Sequence, residues 1–257
     1  MALGHEIVGS GPGKVMVLHG WFGDHAIWAS TFAFLDGKKF SYAFPDYRGY
    51  GASRSIAGKH TIAEISADAI ALADSLGWRK FSVIGHSMGG MAAQRVAVDA
   101  PGRVQALVCV TPVPASGVPF PPEVDKLFAA VAGDDDAGRA VIGGSLGQRL
   151  SPAVTDHILA HARKTAATEA FAHYYIAFAK TDFSAEAKRV KTPMLVLIGE
   201  HDGGVTRDFV HAAFPPLYPH AQLEVLPNAG HYPMLETPAY LVTRMEAFLT
   251  ERAPGGS

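Results

Sequence analysis

A single cysteine, Cys109, is the only thiol in the chain, so no disulfide can form within it. It lies in the run Ala106-Leu107-Val108-Cys109-Val110 and reads as a buried core thiol rather than a nucleophile. A chain without internal disulfides suits a reducing compartment, and the expected location is the cytoplasm. No apolar run approaches the roughly 18–20 residues needed to span a bilayer. Residues 1–6 lack the basic and apolar regions of a signal peptide. Charge is scarce as well: 22 Lys and Arg against 24 Asp and Glu give a net charge of −2. No basic face is left for nucleic acid or an anionic membrane, and the expected partner is a small molecule. What is plentiful is apolar, 48% of 257 residues, enough for one large α/β core with an insertion.

Short apolar runs alternate with helical periodicity, the pattern of a mostly parallel twisted sheet with helices on both faces. Strands are predicted over 6–8, 14–19, 40–45, 80–85, 104–110, 194–199 and 222–226, and helices over 61–76, 87–100, 207–214 and 239–251. The alternation breaks between about Thr111 and Thr181, where a proline-rich exit leads into four helix-like pieces, 123–132, 136–147, 152–165 and 168–180. The expected organisation is a core of 1–112 and 185–252, a helical insertion of 113–184, and a frayed tail of 253–257.

Gly85-His86-Ser87-Met88-Gly89 stands between a strand-like and a helix-like run. A serine pinched between glycines at such a turn has its hydroxyl lifted above the sheet and a helix N-terminus behind it. A serine hydroxyl is a poor nucleophile without a base. Two later strand exits supply partners: Asp202 after 194–199 and His231 after 222–226. Singly, Asp202 could be a solvated loop acid and His231 a surface histidine, and Glu200 is a nearby rival acid. Together they occupy strand exits on the edge where open α/β sheets build their sites. Attack on a carbonyl also needs donors for the oxyanion. His19-Gly20-Trp21-Phe22-Gly23 follows an early strand, which points to the backbone N–H groups of Trp21 and Met88; the lesser alternative is a tight turn with aromatic packing.

Weaker signals read as structural. Residues 9–14 lack phosphate-loop spacing and suit a hairpin-like turn. His157 and His161 fall four apart on a predicted helix without a third ligand, so no metal is expected. Asp134-Asp135-Asp136 suits a solvated helix start.

His19-Gly20, Asp46-Tyr47-Arg48-Gly49-Tyr50-Gly51-Ala52-Ser53, Gly85-His86-Ser87-Met88-Gly89-Gly90, Gly199-Glu200-His201-Asp202 and Asn228-Ala229-Gly230-His231 resemble, in order, the recurring motifs of the α/β-hydrolase superfamily. The resemblance implies an α/β-hydrolase fold in which the insertion is a four-helix lid and 46–53 is a site-flanking loop. It implies a serine hydrolase of the esterase or lactonase kind, needing no cofactor. Ser87 is then the nucleophile, His231 the base and Asp202 its partner, with an acyl-enzyme intermediate from an ester or lactone. Carbon–carbon or thioester hydrolysis, and a slow-turnover ligand sensor, stay open as alternatives. The substrate pocket is expected between lid and core, lined by Phe22, Phe128, Phe171, Tyr174, Phe178 and Met234. The stripe Phe171, Tyr174, Phe178 could instead pack its helix onto the core.

Overall fold

The computed structural model describes residues 3–252; the expected tail, 253–257, lies outside them. Seven strands form one sheet in the order β1-β3-β2-β4-β5-β6-β7: β1 His5–Val8, β2 Gly13–Leu18, β3 Phe40–Pro45, β4 Phe81–His86, β5 Val104–Val110, β6 Met194–Gly199 and β7 Gln222–Leu226. All pairings are parallel except β1 against β3. β6 is buried along its whole length, which is why it reads as an unbroken apolar run instead of an alternating one; β4, equally buried, carries Ser82 and His86 within it.

The helices are α1 Ile62–Ser75, α2 Met88–Asp99, α3 Pro122–Ala130, α4 Asp135–Ser145, α5 Pro152–Thr165, α6 Thr168–Lys180, α7 Ser184–Ala187, α8 Arg207–Ala213, α9 Pro233–Glu236 and α10 Pro238–Arg252. α1, α2 and α7 pack together on one face, while α10 packs against a 3-10 segment, His25–Phe34, on the other. That segment is absent from the sequence expectation, because its apolar residues follow no clean period of 3.6; Asp24 caps it by accepting the Ala26 N–H at 2.9 Å. The short α7 and α9 were likewise not anticipated from periodicity, each being about one turn. α1 starts as the sequence suggests: Thr61 accepts the Glu64 N–H at 3.1 Å, and Glu64 reaches back to the His60 N–H at 2.8 Å.

Helices α3 to α6 form an excursion between β5 and β6 that lies against loops leaving the carboxyl edge of the sheet. Ala166 bridges Tyr50, the Ser145 carbonyl accepts the His231 N–H at 3.1 Å, and Phe171 stacks on Trp21 with ring centroids 4.4 Å apart. The excursion and the sheet share one continuous buried core. Cys109 sits in it fully buried, its thiol pushed up to about 12 by desolvation, so it is not a nucleophile near neutral pH.

Candidate active site

β4 turns into α2 through one residue, Ser87, whose φ of 55° lies in the left-handed region that a side chain normally avoids. Neighbouring backbone holds it there: the Ser87 N–H donates to the Val110 carbonyl at 3.0 Å, and its carbonyl accepts from Gly90 at 2.9 Å and Val113 at 3.1 Å. The crossing of strand and helix leaves no space for side chains, since a methyl group at Gly85 would meet the Gly89 carbonyl oxygen at 2.1 Å.

The three expected side chains converge. His231 Nε2 and Ser87 Oγ are 2.9 Å apart, and His231 Nδ1 lies 2.6 Å from Asp202 Oδ2. The other Asp202 oxygen accepts the amides of Gly204 and Val205, both at 2.8 Å. A carboxylate can only accept, so the His231 Nδ1 carries hydrogen and its Nε2 lone pair is left for the serine hydroxyl. The Asp202 side chain is fully buried and His231 is 12% exposed, so the pair is largely shielded from water. Glu200 does not compete: its carboxylate accepts the Asn228 N–H at 2.8 Å.

Two residues not singled out by the sequence steady His231. Its carbonyl accepts from His86 Nε2 at 2.7 Å and from the Thr111 hydroxyl at 3.0 Å. Burial first, and then the adjacent His231, hold the His86 imidazole well below its ordinary range, so it stays neutral. Thr111 is fully buried with φ 42°, a strained exit from β5 whose only sequence sign was the proline-rich stretch that follows.

The turn after β2 is braced from three sides. His19 Nδ1 donates to the Gly20 carbonyl at 2.8 Å, and its Nε2 accepts the Tyr47 N–H at 3.3 Å. Desolvation lowers the His19 pKa, which suits that neutral tautomer. The Tyr50 hydroxyl donates to the Trp21 carbonyl at 2.9 Å. With the Gly20 carbonyl tied to His19, the Trp21 N–H of the same planar peptide points the opposite way. Among the described residues, neither this amide nor that of Met88, at the start of α2, donates to a backbone carbonyl or side chain.

Above the turn, Trp21 is ringed by aromatics: Phe171 and Phe128 stack on it, Phe22 and Phe178 meet it edge-on, and its indole N–H donates to the Phe171 carbonyl at 2.8 Å. Tyr174 does not join this cluster. It is fully buried against Tyr47 and Tyr50, with its hydroxyl donating to the Arg48 carbonyl at 3.2 Å. The helix turns its side chain toward the 46–53 loop, so Tyr174 packs α6 against that loop. Met234 is fully buried in α9, two positions past Tyr232.

His157 and His161 do not converge on a metal: His157 is exposed, while His161 Nε2 lies 2.8 Å from Asp24 Oδ1. Asp24, His25 and Asp46 place ligand-type atoms within 4.8 Å of one another. Both Asp46 oxygens are already engaged by protein donors, the His25 N–H, the His25 ring and the Ala52 N–H, and Asp24 Oδ1 is engaged by Ala26 and His161.

A carboxylesterase of Bacillus subtilis, YbfK, is 27% identical over 250 residues, covering 95% of this chain and 83% of its own. A non-heme chloroperoxidase of Streptomyces lividans is 32% identical over 206 residues, covering 73% and 74%. Among solved structures, a thermophilic esterase from Thermogutta terrifontis superposes with a TM-score of 0.84 at 26% identity, covering 98% of this chain and 94% of that one. The family model described as the alpha/beta hydrolase fold matches residues 14–238. Because that match runs from β2 through β7 and takes in the Ser87 turn, the chain belongs to the α/β-hydrolase fold family.

Proposed function

We propose that the chain is a serine hydrolase that cleaves a carboxylic ester or lactone through an acyl-enzyme. The observation that carries this reading is the unbroken relay Ser87 Oγ, His231 Nε2, His231 Nδ1, Asp202 Oδ2, with links of 2.9 and 2.6 Å. Ser87 attacks the carbonyl carbon as His231 takes its proton; Asp202 keeps the imidazole in the accepting tautomer and stabilises the imidazolium. The Trp21 and Met88 amides donate to the oxyanion, an arrangement in which one donor typically contributes about 10²–10³ in turnover. When the tetrahedral species collapses, His231 protonates the leaving alkoxide. In a lactone, the freed alcohol stays attached to the acyl group. Water, with His231 as base, then releases the acid. The two esterases described above, similar along nearly the whole chain, support this class of substrate.

In this reading helices α3 to α6 form a lid, and Trp21, Phe22, Phe128, Phe171 and Phe178 wall an apolar acyl pocket, with Met234 behind the His231 loop. Ser87→Ala should abolish p-nitrophenyl ester hydrolysis and fluorophosphonate labelling while leaving the melting transition in place. Turnover retained in the folded variant would remove the nucleophile and with it the assignment.

A further inference from the structure

The loop that carries His231 is bracketed by an ion pair with a buried carboxylate that the relay does not use. The Glu236 side chain in α9 is 2% exposed. Its Oε2 accepts the Gly230 N–H at 2.8 Å and its Oε1 the Tyr232 N–H at 2.9 Å, so one carboxylate grips the amides on both sides of His231. Arg149, in the turn between α4 and α5, donates to Glu236 Oε2 and, at 2.8 Å, to the Asn228 carbonyl. The amide between the two gripped ones, that of His231, donates to Ser145 of α4. Three successive amides, 230 to 232, are thus fixed by a core carboxylate and an excursion carbonyl.

An acid that reaches back to the first amide of a helix can be a plain helix cap. Capping accounts for the Tyr232 N–H. It does not account for the Gly230 N–H, which lies outside α9, nor for a guanidinium drawn from a different part of the chain. A buried carboxylate is costly unless its charge and lone pairs are matched, and here each oxygen has an amide and the charge has Arg149.

We propose that Glu236 is the positioning residue for His231, with Arg149 as its counter-ion, so that the helical excursion helps set where the imidazole sits. This rests on reading Ser87, His231 and Asp202 as the catalytic relay. Misplacing a reacting group by about 1 Å can cost about 10²-fold in rate. Glu236→Gln keeps the shape but turns an NH2 toward an N–H donor or the guanidinium, freeing one flank of His231.

The experiment compares Glu236→Gln, Arg149→Met and Arg149→Lys with the unmodified chain, reading steady-state kinetics on p-nitrophenyl acetate, thermal melting, and the low-field proton NMR signal of His231 Nδ1–H. Glu236→Gln should lower kcat about 10- to 100-fold with KM within about threefold, and shift or broaden the proton signal. Arg149→Met should do the same more weakly, and Arg149→Lys should restore most of the loss. A folded Glu236→Gln with lower melting temperature but unchanged kcat and proton signal would reduce Glu236 to a helix cap and overturn the proposal. If Glu236→Gln does not fold, Arg149→Met decides: kcat within twofold of the unmodified chain, with an unmoved signal, overturns it. The NMR signal needs no turnover, so failure of the Ser87 assignment, read from Ser87→Ala, is separable from failure of this one.

Discussion

At Ser87 the backbone stays in a left-handed conformation because the fold surrounds it with fixed donors and acceptors, from Val110, Gly90 and Val113. The same local logic bears on the role proposed for Asp202. Its Oδ1 is held by two amides, so an asparagine there would keep its carbonyl oxygen on Gly204 and Val205 and turn its NH2 toward His231 Nδ1. The imidazole would then carry its hydrogen on Nε2 and could not take the serine proton. Asp202→Asn should therefore lower kcat by about 10⁴-fold with KM little changed; steady-state kinetics on p-nitrophenyl acetate check it, and a loss under tenfold would contradict the tautomer assignment. The residue types at 87, 202 and 231 were legible from chemistry alone. Thr111 and Glu236 were not, because a threonine at a strand end and a glutamate in a short helix have many ordinary uses, and only their partners set these apart.

Between elements, Asp24 and His161 join the start of the 3-10 segment to α5. Burial alone would raise the Asp24 carboxyl, but the hydrogen bond and charge of His161, helped by the Ala26 N–H, outweigh it and bring the value down from 3.8 to about 2. A carboxyl held below its unfolded value stabilises the fold fully above that unfolded value and loses its contribution as pH falls through the folded one. The window is therefore from about pH 4 down to about 2. Melting curves at pH 5, 4, 3 and 2 should show the gap in stability between the unmodified chain and Asp24→Asn closing across that window; parallel curves would rule the link out. Strands and long helices were largely legible here, since period and capping residues such as Thr61 specify them locally. The segment His25–Phe34 escaped because its shape depends on packing against α10.

Over the whole molecule, the excursion and the sheet share one apolar interior, and Tyr174 sits fully buried at their junction with Tyr47 and Tyr50. Tyr174→Ala should cost about 3–5 kcal/mol in stability, comparable to other large aromatic truncations. KM for p-nitrophenyl butyrate should stay within about twofold, since this side chain faces the 46–53 loop. Denaturant unfolding and steady-state kinetics test this, and a large KM change with unaltered stability would return Tyr174 to the pocket. The sequence by itself determined the α/β architecture, the strand exits that carry Ser87, Asp202 and His231, and the helical character of 123–180, because these follow from periodicity, turn chemistry and order along the chain. Which aromatics gather around Trp21, which way each face of α6 turns, and which buried groups grip the His231 loop came only from the folded arrangement. Those contacts join residues as far apart as Trp21 and Phe171, or Arg149 and Glu236, and no local pattern records a distance between segments that meet only after the sheet has formed.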